Sequence, residues 1–261
     1  MKKLISLLFV LLLTLASFTA HAQGYPRGDV NRDGSVNISD VTSLIDYLLR
    51  GSWPDNPVPP PDNHMYVDLG LTSGTLWATC NVGASNPEEY GDYFAWGETT
   101  PKDFYDWSAY KWCNDRDTTM TKYCTNSSYG YNGFTDGKVE LDPEDDAAYV
   151  NWGSQWRMPT AEQCQELGKQ CTWTWTTRNG VKGRLVTGPN GNSIFLPASG
   201  WRLNESLEAV GEHGGFWSRT LDPNFSRCAY ILNFTMLNVF WSNESLRHAG
   251  RTVRAVRVPQ N

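Results

Sequence analysis

Residues 29 to 40 read Asp29-Val30-Asn31-Arg32-Asp33-Gly34-Ser35-Val36-Asn37-Ile38-Ser39-Asp40. Oxygen-bearing side chains fall at loop positions 1, 3, 5, 9 and 12, the spacing with which a hard cation gathers its six to eight oxygen ligands. Gly34 stands at position 6, where the chain must turn sharply, and Ser35 at position 7 offers its backbone carbonyl. The candidate metal-binding set is therefore Asp29, Asn31, Asp33, Ser35, Asn37 and Asp40, with calcium as the cofactor. An Asx-rich turn before a helix is the plainer reading of such residues. A turn does not demand a match at every ligand position, and this loop matches at each one.

The element that must carry the loop follows it directly. Val41, Leu44, Ile45, Leu48 and Leu49 recur at helical spacing, which predicts an amphipathic helix, and Val36 is placed to pack behind the loop. The pattern departs from an EF-hand in two ways: Asp40 stands where a bidentate Glu would be, and no entering helix precedes Gly28. Gly28-Asp29-Val30-Asn31-Arg32-Asp33-Gly34 through Tyr47-Leu48-Leu49 resembles one repeat of a dockerin, a module with Asp at position 12 and no entering helix. The resemblance implies calcium binding and a cohesin-like partner within a polysaccharide-degrading assembly. Dockerins carry two such repeats, and one is visible here. Residues 28–51 are too few for a core, because chains below ~40 residues usually need a metal, disulfide or partner to fold. The segment is expected to order with calcium and against another surface, which covers Leu44, Leu48 and Leu49.

On either side lie segments of different character. Met1, Lys2 and Lys3, the apolar run from Leu4 to Phe18, and Ala20-His21-Ala22 have the layout of a cleaved signal peptide over residues 1–22. Five prolines between Ser52 and Asn63 predict a stiff linker over residues 52–64. No later stretch is apolar enough to cross a membrane. The chain has 22 basic and 28 acidic residues; without Lys2 and Lys3 its formal charge is about −8. That balance argues against nucleic-acid binding, which relies on basic side chains displacing counterions. A secreted, extracellular or cell-surface protein is expected, with a periplasmic location as the other option.

Residues 65–258 are even in composition, rich in Trp, Tyr, Gly and Asn, and read as one domain. Asp142-Pro143-Glu144-Asp145-Asp146 is a helix start with an acidic cap and Pro at the first position, continuing through Ala147 to Trp152 until Gly153 stops it. Thr160-Ala161-Glu162-Gln163 has capping-box spacing and predicts a helix over Glu162 to Lys169. Ser193 to Leu196 and Ala229 to Phe234 read as antiparallel strands. Two helices among many short strands make the class α+β.

Tyr66-Val67-Asp68-Leu69-Gly70-Leu71 through Leu76-Trp77-Ala78-Thr79-Cys80-Asn81-Val82-Gly83, with Tyr93-Phe94-Ala95-Trp96-Gly97-Glu98, Trp156-Arg157-Met158-Pro159-Thr160, Gly215-Phe216-Trp217-Ser218 and Val253-Arg254-Ala255-Val256-Arg257, resembles the Fibrobacter succinogenes major paralogous domain family. The resemblance implies a C-type-lectin-like fold in exported ligand-recognition or adhesion proteins. The last stretch is also similar to retroelement-diversified variable proteins, where the segment from the Trp-Ser pair onward holds the ligand contacts. Carried over here, scaffold residues such as Trp217, Leu232, Trp241 and Arg254 alternate with an irregular set. Within that set Asn224, Phe225, Arg227, Phe240, Ser242, Glu244, Leu246 and His248 are the candidate ligand-binding residues, for a protein or glycan ligand. Aromatic anchors beside polar neighbours are what a recognition surface requires, although Phe225, Met236, Phe240 and Leu246 would equally suit a core.

Most of the twelve Trp residues, including Trp77, Trp96, Trp152, Trp156, Trp201, Trp217 and Trp241, fall on motif positions and read as core. Trp173 and Trp175 alternate on one strand face and are candidates for exposure. The Glu-Pro-Asn or Gln-Pro-Asp triplets of calcium-dependent lectins are missing from residues 66–258, so no second calcium site is expected. No metal-ligand histidine spacing, nucleophile elbow or phosphate loop occurs, and the chain reads as non-catalytic. The alternative is a glycoside hydrolase carrying a dockerin-like module, because its two carboxylates need be adjacent only in space. Six cysteines in an exported chain permit disulfides, with Cys113 and Cys124 the favoured pair, and free buried thiols are the equal alternative because a core of this size does not need staples.

Overall fold

The computed structural model describes residues 64–257 and, before them, Val41 and Leu44, both in helical backbone. The chain divides between Asp62 and Asn63 into two units, and the second is described here. The signal segment, the calcium loop Asp29 to Asp40 and the linker through Asn63 lie outside the described residues.

Short runs of β-branched and aromatic residues bounded by Gly, Asn and Pro make the second unit α+β, mainly β. Its strands are β1 (Tyr66–Asp68), β2 (Leu76–Ala78), β3 (Thr172–Arg178), β4 (Val181–Thr187), β5 (Ser193–Pro197), β6 (Trp201–Leu203), β7 (Ser206–Glu208), β8 (Gly214–Leu221), β9 (Cys228–Phe234), β10 (Val239–Leu246) and β11 (Val256–Arg257). They form open antiparallel sheets in the orders β1-β2-β11, β3-β4-β5, β6-β7 and β10-β9-β8, and no barrel closes. Val256 pairs with Trp77, so the first and last strands of the unit share one sheet.

Two α-helices stand against these sheets, α1 (Ala147–Trp152) and α2 (Ala161–Gln170). The capping box of α2 is complete: Thr160 accepts from the Gln163 amide at 3.1 Å, and the Gln163 side chain accepts from the Thr160 amide at 2.9 Å. The Asp142 start is different from expectation. Pro143–Asp145 is a 3-10 turn, and α1 takes Asp146 as its cap, which accepts from Ala148 and Tyr149. Asp146 also accepts the Met158 amide at 2.9 Å, and this long-range bond breaks the run into two pieces. Burial pushes the Asp146 carboxyl up, while these backbone donors pull it down.

The core is aromatic. Of the seven Trp expected in the core, Trp77, Trp96, Trp156 and Trp217 are 0% exposed, while Trp152, Trp201 and Trp241 are half-buried. Between Thr79 and Asp146 regular structure is limited to three short 3-10 turns, and side chains hold that stretch instead. Asp145, 2% exposed, accepts from the Tyr123 hydroxyl at 2.6 Å and pairs with Lys122 at 2.6 Å and Lys111 at 3.3 Å. All six cysteines are free thiols. The expected Cys113–Cys124 bridge is not formed, because each thiol turns to a carbonyl of its own loop, Trp107 for Cys113 at 3.1 Å and Asn126 for Cys124 at 3.2 Å.

Trp241 of β10 lies so close over Gly168 of α2 that a Cβ on Gly168 would overlap the indole ring. Alanine ordinarily improves a helix interior by about 1 kcal/mol over glycine. Overpacking of about 1–3 kcal/mol opposes that gain here, so Gly168→Ala is expected to lower stability in denaturant melts. Thr160→Ala, which removes the cap, should cost about 1 kcal/mol in the same measurement.

Candidate ligand-binding surface

Strand β10 is the free edge of the β10-β9-β8 sheet, and most of the candidate residues sit on it or on the loop feeding β9. Its register places Leu246 opposite Cys228, Glu244 opposite Tyr230 and Phe240 opposite Asn233. An irregularity between Phe240 and Asn243 interrupts the ladder, and there Trp241 turns onto α2. The side chain of Ser242 lies outside the described residues.

At one end of the edge strand the candidates converge. The β8–β9 loop is pinned by Asp222, whose carboxylate accepts the amides of Asn224 at 2.8 Å and Phe225 at 3.3 Å, leaving both residues exposed. Phe225 is 46% exposed and Leu246, one strand away, 39%. The Arg247 amide donates to the Arg227 carbonyl at 3.0 Å, closing the two strands at this point. Arg227 pairs with Asp117 at 2.9 Å beside the Tyr129 ring, and that bond raises its pKa. Asn224, Phe225, Arg227, Glu244 and Leu246 thus lie at one end of the β9–β10 pair: two exposed apolar side chains, a paired cation and an exposed acid.

Two candidates fall elsewhere. Phe240 is 43% exposed but stands six residues along the strand from Leu246, about 20 Å at the usual rise. It accompanies Met236 and Leu237 at the β9–β10 turn, both exposed. Arg184 holds that turn, donating to the carbonyls of Thr235 at 2.8 Å and Met236 at 3.0 Å. A cleft of about 310 Å³ adjoins it, lined in part by Trp175, Lys182, His213, Met236 and Leu237. His248 is a correction: it is 4% exposed and packs on Trp107 with ring centroids 4.4 Å apart. After Leu246 the chain turns inward, the Ala249 amide donating to the Leu246 carbonyl at 3.1 Å, and carries His248 beneath the 106–117 loop. Leu221, the last residue of β8, is wholly buried.

Trp173 and Trp175 do share a strand face, but it packs against Phe234, at 5.9 and 6.4 Å between ring centroids, and both are half-buried. Trp107, Asp117 and Tyr129, which support Arg227 and His248, escaped the sequence reading. They lie over 90 residues earlier in the chain, in a stretch without periodicity, and only a charge pair with Arg227 could have hinted at Asp117.

Among the described residues no group of three or more His, Cys, Asp or Glu could hold a metal, and no helix is long and apolar enough to cross a membrane. The Dockerin type I domain model matches residues 27–69. That span contains the whole candidate calcium loop and the helix expected after it, and runs through the proline segment into β1. The match supports a calcium-binding assembly module of the extracellular or cell-surface kind at this end of the chain. No curated protein matches the chain, and no solved structure does.

Burial holds the His248 pKa below its ordinary value; Asp106 and Asp117 oppose this weakly and Lys102 assists it. The unfolded chain therefore takes up a proton near pH 6.5 that the folded chain refuses, so the contribution of a neutral His248 is present above that pH and lost below it. Denaturant melts at pH 7.5 and 5.5 should show a loss of stability at the lower pH that is smaller in His248→Gln.

Proposed function

We propose that the chain is an exported binding protein in which a calcium-ordered dockerin segment attaches a β-rich body to a larger assembly, and the body grips a ligand at the Phe225 end of its edge strand. The assembly half rests on the dockerin match over residues 27–69. Asp29, Asn31, Asp33, Ser35, Asn37 and Asp40 would hold the ion, and the donor set fits it: all ligands are hard oxygens, with no cysteine or histidine in the loop. Bound calcium would draw the loop's acidic side chains together and fix the start of the helix. The partner is a cohesin-like protein, the class of partner dockerin domains engage.

The ligand half rests on one observation, the exposure of Phe225 and Leu246 at the end of the edge strand where the Arg247 amide meets the Arg227 carbonyl and Arg227 pairs with Asp117. Exposed apolar anchors beside an oriented charge suit recognition of a protein or glycan. We read the body as lectin-like, a reading supported by its sequence motifs and its mixture of short antiparallel strands with two helices. It assigns no catalysis to the chain.

Calorimetric titration of the full chain with calcium should show binding that weakens at least tenfold in Asp29→Ala and Asp33→Ala, and capture of a cohesin module that is abolished by chelation. Unaltered calcium binding in both variants would remove the metal site. Ligand arrays probed with the chain should lose signal at least tenfold in Phe225→Ala or Leu246→Ala. Release of reducing ends from plant or host polysaccharides should stay at the blank, and sustained turnover would replace this reading with a hydrolase.

A further inference from the structure

Three arginines enter the body from the last stretch of the chain, and they are satisfied unequally. Arg247 donates through Nε to the Tyr110 hydroxyl, through Nη1 to the carbonyls of Tyr123 and Ser226, and through Nη2 to the carbonyl of Lys122. Arg254 donates to Asn81, Ala78, Thr79 and Phe195. Arg251 makes one side-chain bond, from Nε to the Ser245 hydroxyl at 2.9 Å.

The position of Arg251 is nonetheless tightly set. Its guanidinium lies 5.4 Å from the Trp201 ring and 5.9 Å from the Trp217 ring. Nη1 runs so near Gly215 that any Cβ there would collide with it. Ser245 and Trp217 fix the group from its Nε side and from the core, and neither Nη nitrogen has an acceptor among the described residues. Among the described residues the sealed side-chain atoms without partners are Trp77 Nε1, Glu88 Oε2, Arg227 Nε and His248 Nδ1. The Arg251 Nη atoms are not among them, and Arg251 as a residue is half-buried rather than buried, so the fork lies in a recess that keeps some contact with solvent. Burial lowers the Arg251 pKa to about 10, and no carboxylate offsets it. The group is therefore still a cation at neutral pH.

A recessed guanidinium with its terminal fork open is shaped for a carboxylate, which takes two parallel N–H bonds from it. Beside the fork stands the half-buried indole of Trp201, with His213 edge-on to it at 5.6 Å. A flat apolar ring next to a cation suits a carboxylate borne on a compact ring rather than on a flexible chain. We propose that Arg251 and Trp201 form a binding site for an acidic sugar of the uronic-acid type, its carboxylate on the Arg251 Nη fork and its ring face on Trp201. Ser245 positions the guanidinium, and Gly215 leaves the space it occupies. None of these residues belongs to the surface at the Phe225 end, so the two proposals can fail separately.

The test is calorimetric titration of the full chain with glucuronic acid, glucose and acetate. Glucuronic acid should bind at least tenfold more tightly than either of the others. Arg251→Lys keeps the charge but removes the fork, and should weaken glucuronic acid at least tenfold. Trp201→Leu, at a half-exposed position, gives a second reading if the arginine variant does not fold: glucuronic acid should weaken at least fivefold while acetate is unaffected. Equal binding of glucose and glucuronic acid, no binding of glucuronic acid, or full affinity in a folded variant would overturn the site. Acetate binding as tightly as glucuronic acid would overturn the sugar.

Discussion

The body depends on a buried guanidinium that has no carboxylate. Arg247 is 0% exposed, and its donors reach the carbonyls of Lys122, Tyr123 and Ser226 while its plane lies against Trp96 and Tyr110. A buried charge is tolerated only when its donors are met, and carbonyl dipoles together with aromatic faces meet them here. The same contact solves a second problem. Residues 79 to 146 run mostly outside helix and strand, so their carbonyls lack ladder partners and need other donors. Five N–H groups on one rigid plane supply several at once. Arg254 repeats the device at the other end, tying the carbonyls of Ala78, Thr79 and Phe195 together.

Tyrosine and tryptophan extend the principle. The hydroxyls of Tyr93, Tyr105 and Tyr110 donate to the carbonyls of Ser199, Tyr93 and Trp96 at 2.5 to 2.6 Å. The indoles of Trp96 and Trp217 donate to the carbonyls of Ser218 and Phe94 at 2.8 Å each. Each such side chain fills core volume and satisfies an irregular backbone in one step. This accounts for an aromatic content that, taken alone, invites a sugar-stacking interpretation. It also explains why the cysteines need not pair: the long loops are held by donors distributed through the core. The large apolar side chains that the β8–β9 loop and the edge strand leave in water include Phe225 and Leu246 at one end and Met236, Leu237 and Phe240 at the other.

How much of this was legible depends on the range of the interaction. The α2 cap was readable because Thr160 and Gln163 are three residues apart and each bonds the other's amide, whereas the further bond from Gln163 to the Thr75 hydroxyl was not. The Asp142 start was misread because Asp146 also holds the Met158 amide, a bond that no local pattern reveals. Trp173 and Trp175 were correctly put on one face, since strand alternation is local, but which face met the core was not readable. The candidate surface was half legible. Asn224, Phe225, Phe240, Glu244 and Leu246 are exposed, as a surface role requires, yet their division into two ends follows from the length and register of β10, and the burial of His248 follows from a turn after it.

By itself the sequence determined whatever is encoded within a few residues: the spacing of the candidate oxygen donors in the dockerin-like loop, the helix cap, the strand periodicity and the aromatic bulk destined for the core. Only the tertiary structure decided which of three neighbouring arginines would be fully satisfied and which would keep an open fork, and which apolar side chains would stay in water. The reason is that spacing along the chain sets local hydrogen bonds, whereas the satisfaction of a long side chain depends on carbonyls and rings brought to it from over a hundred residues away.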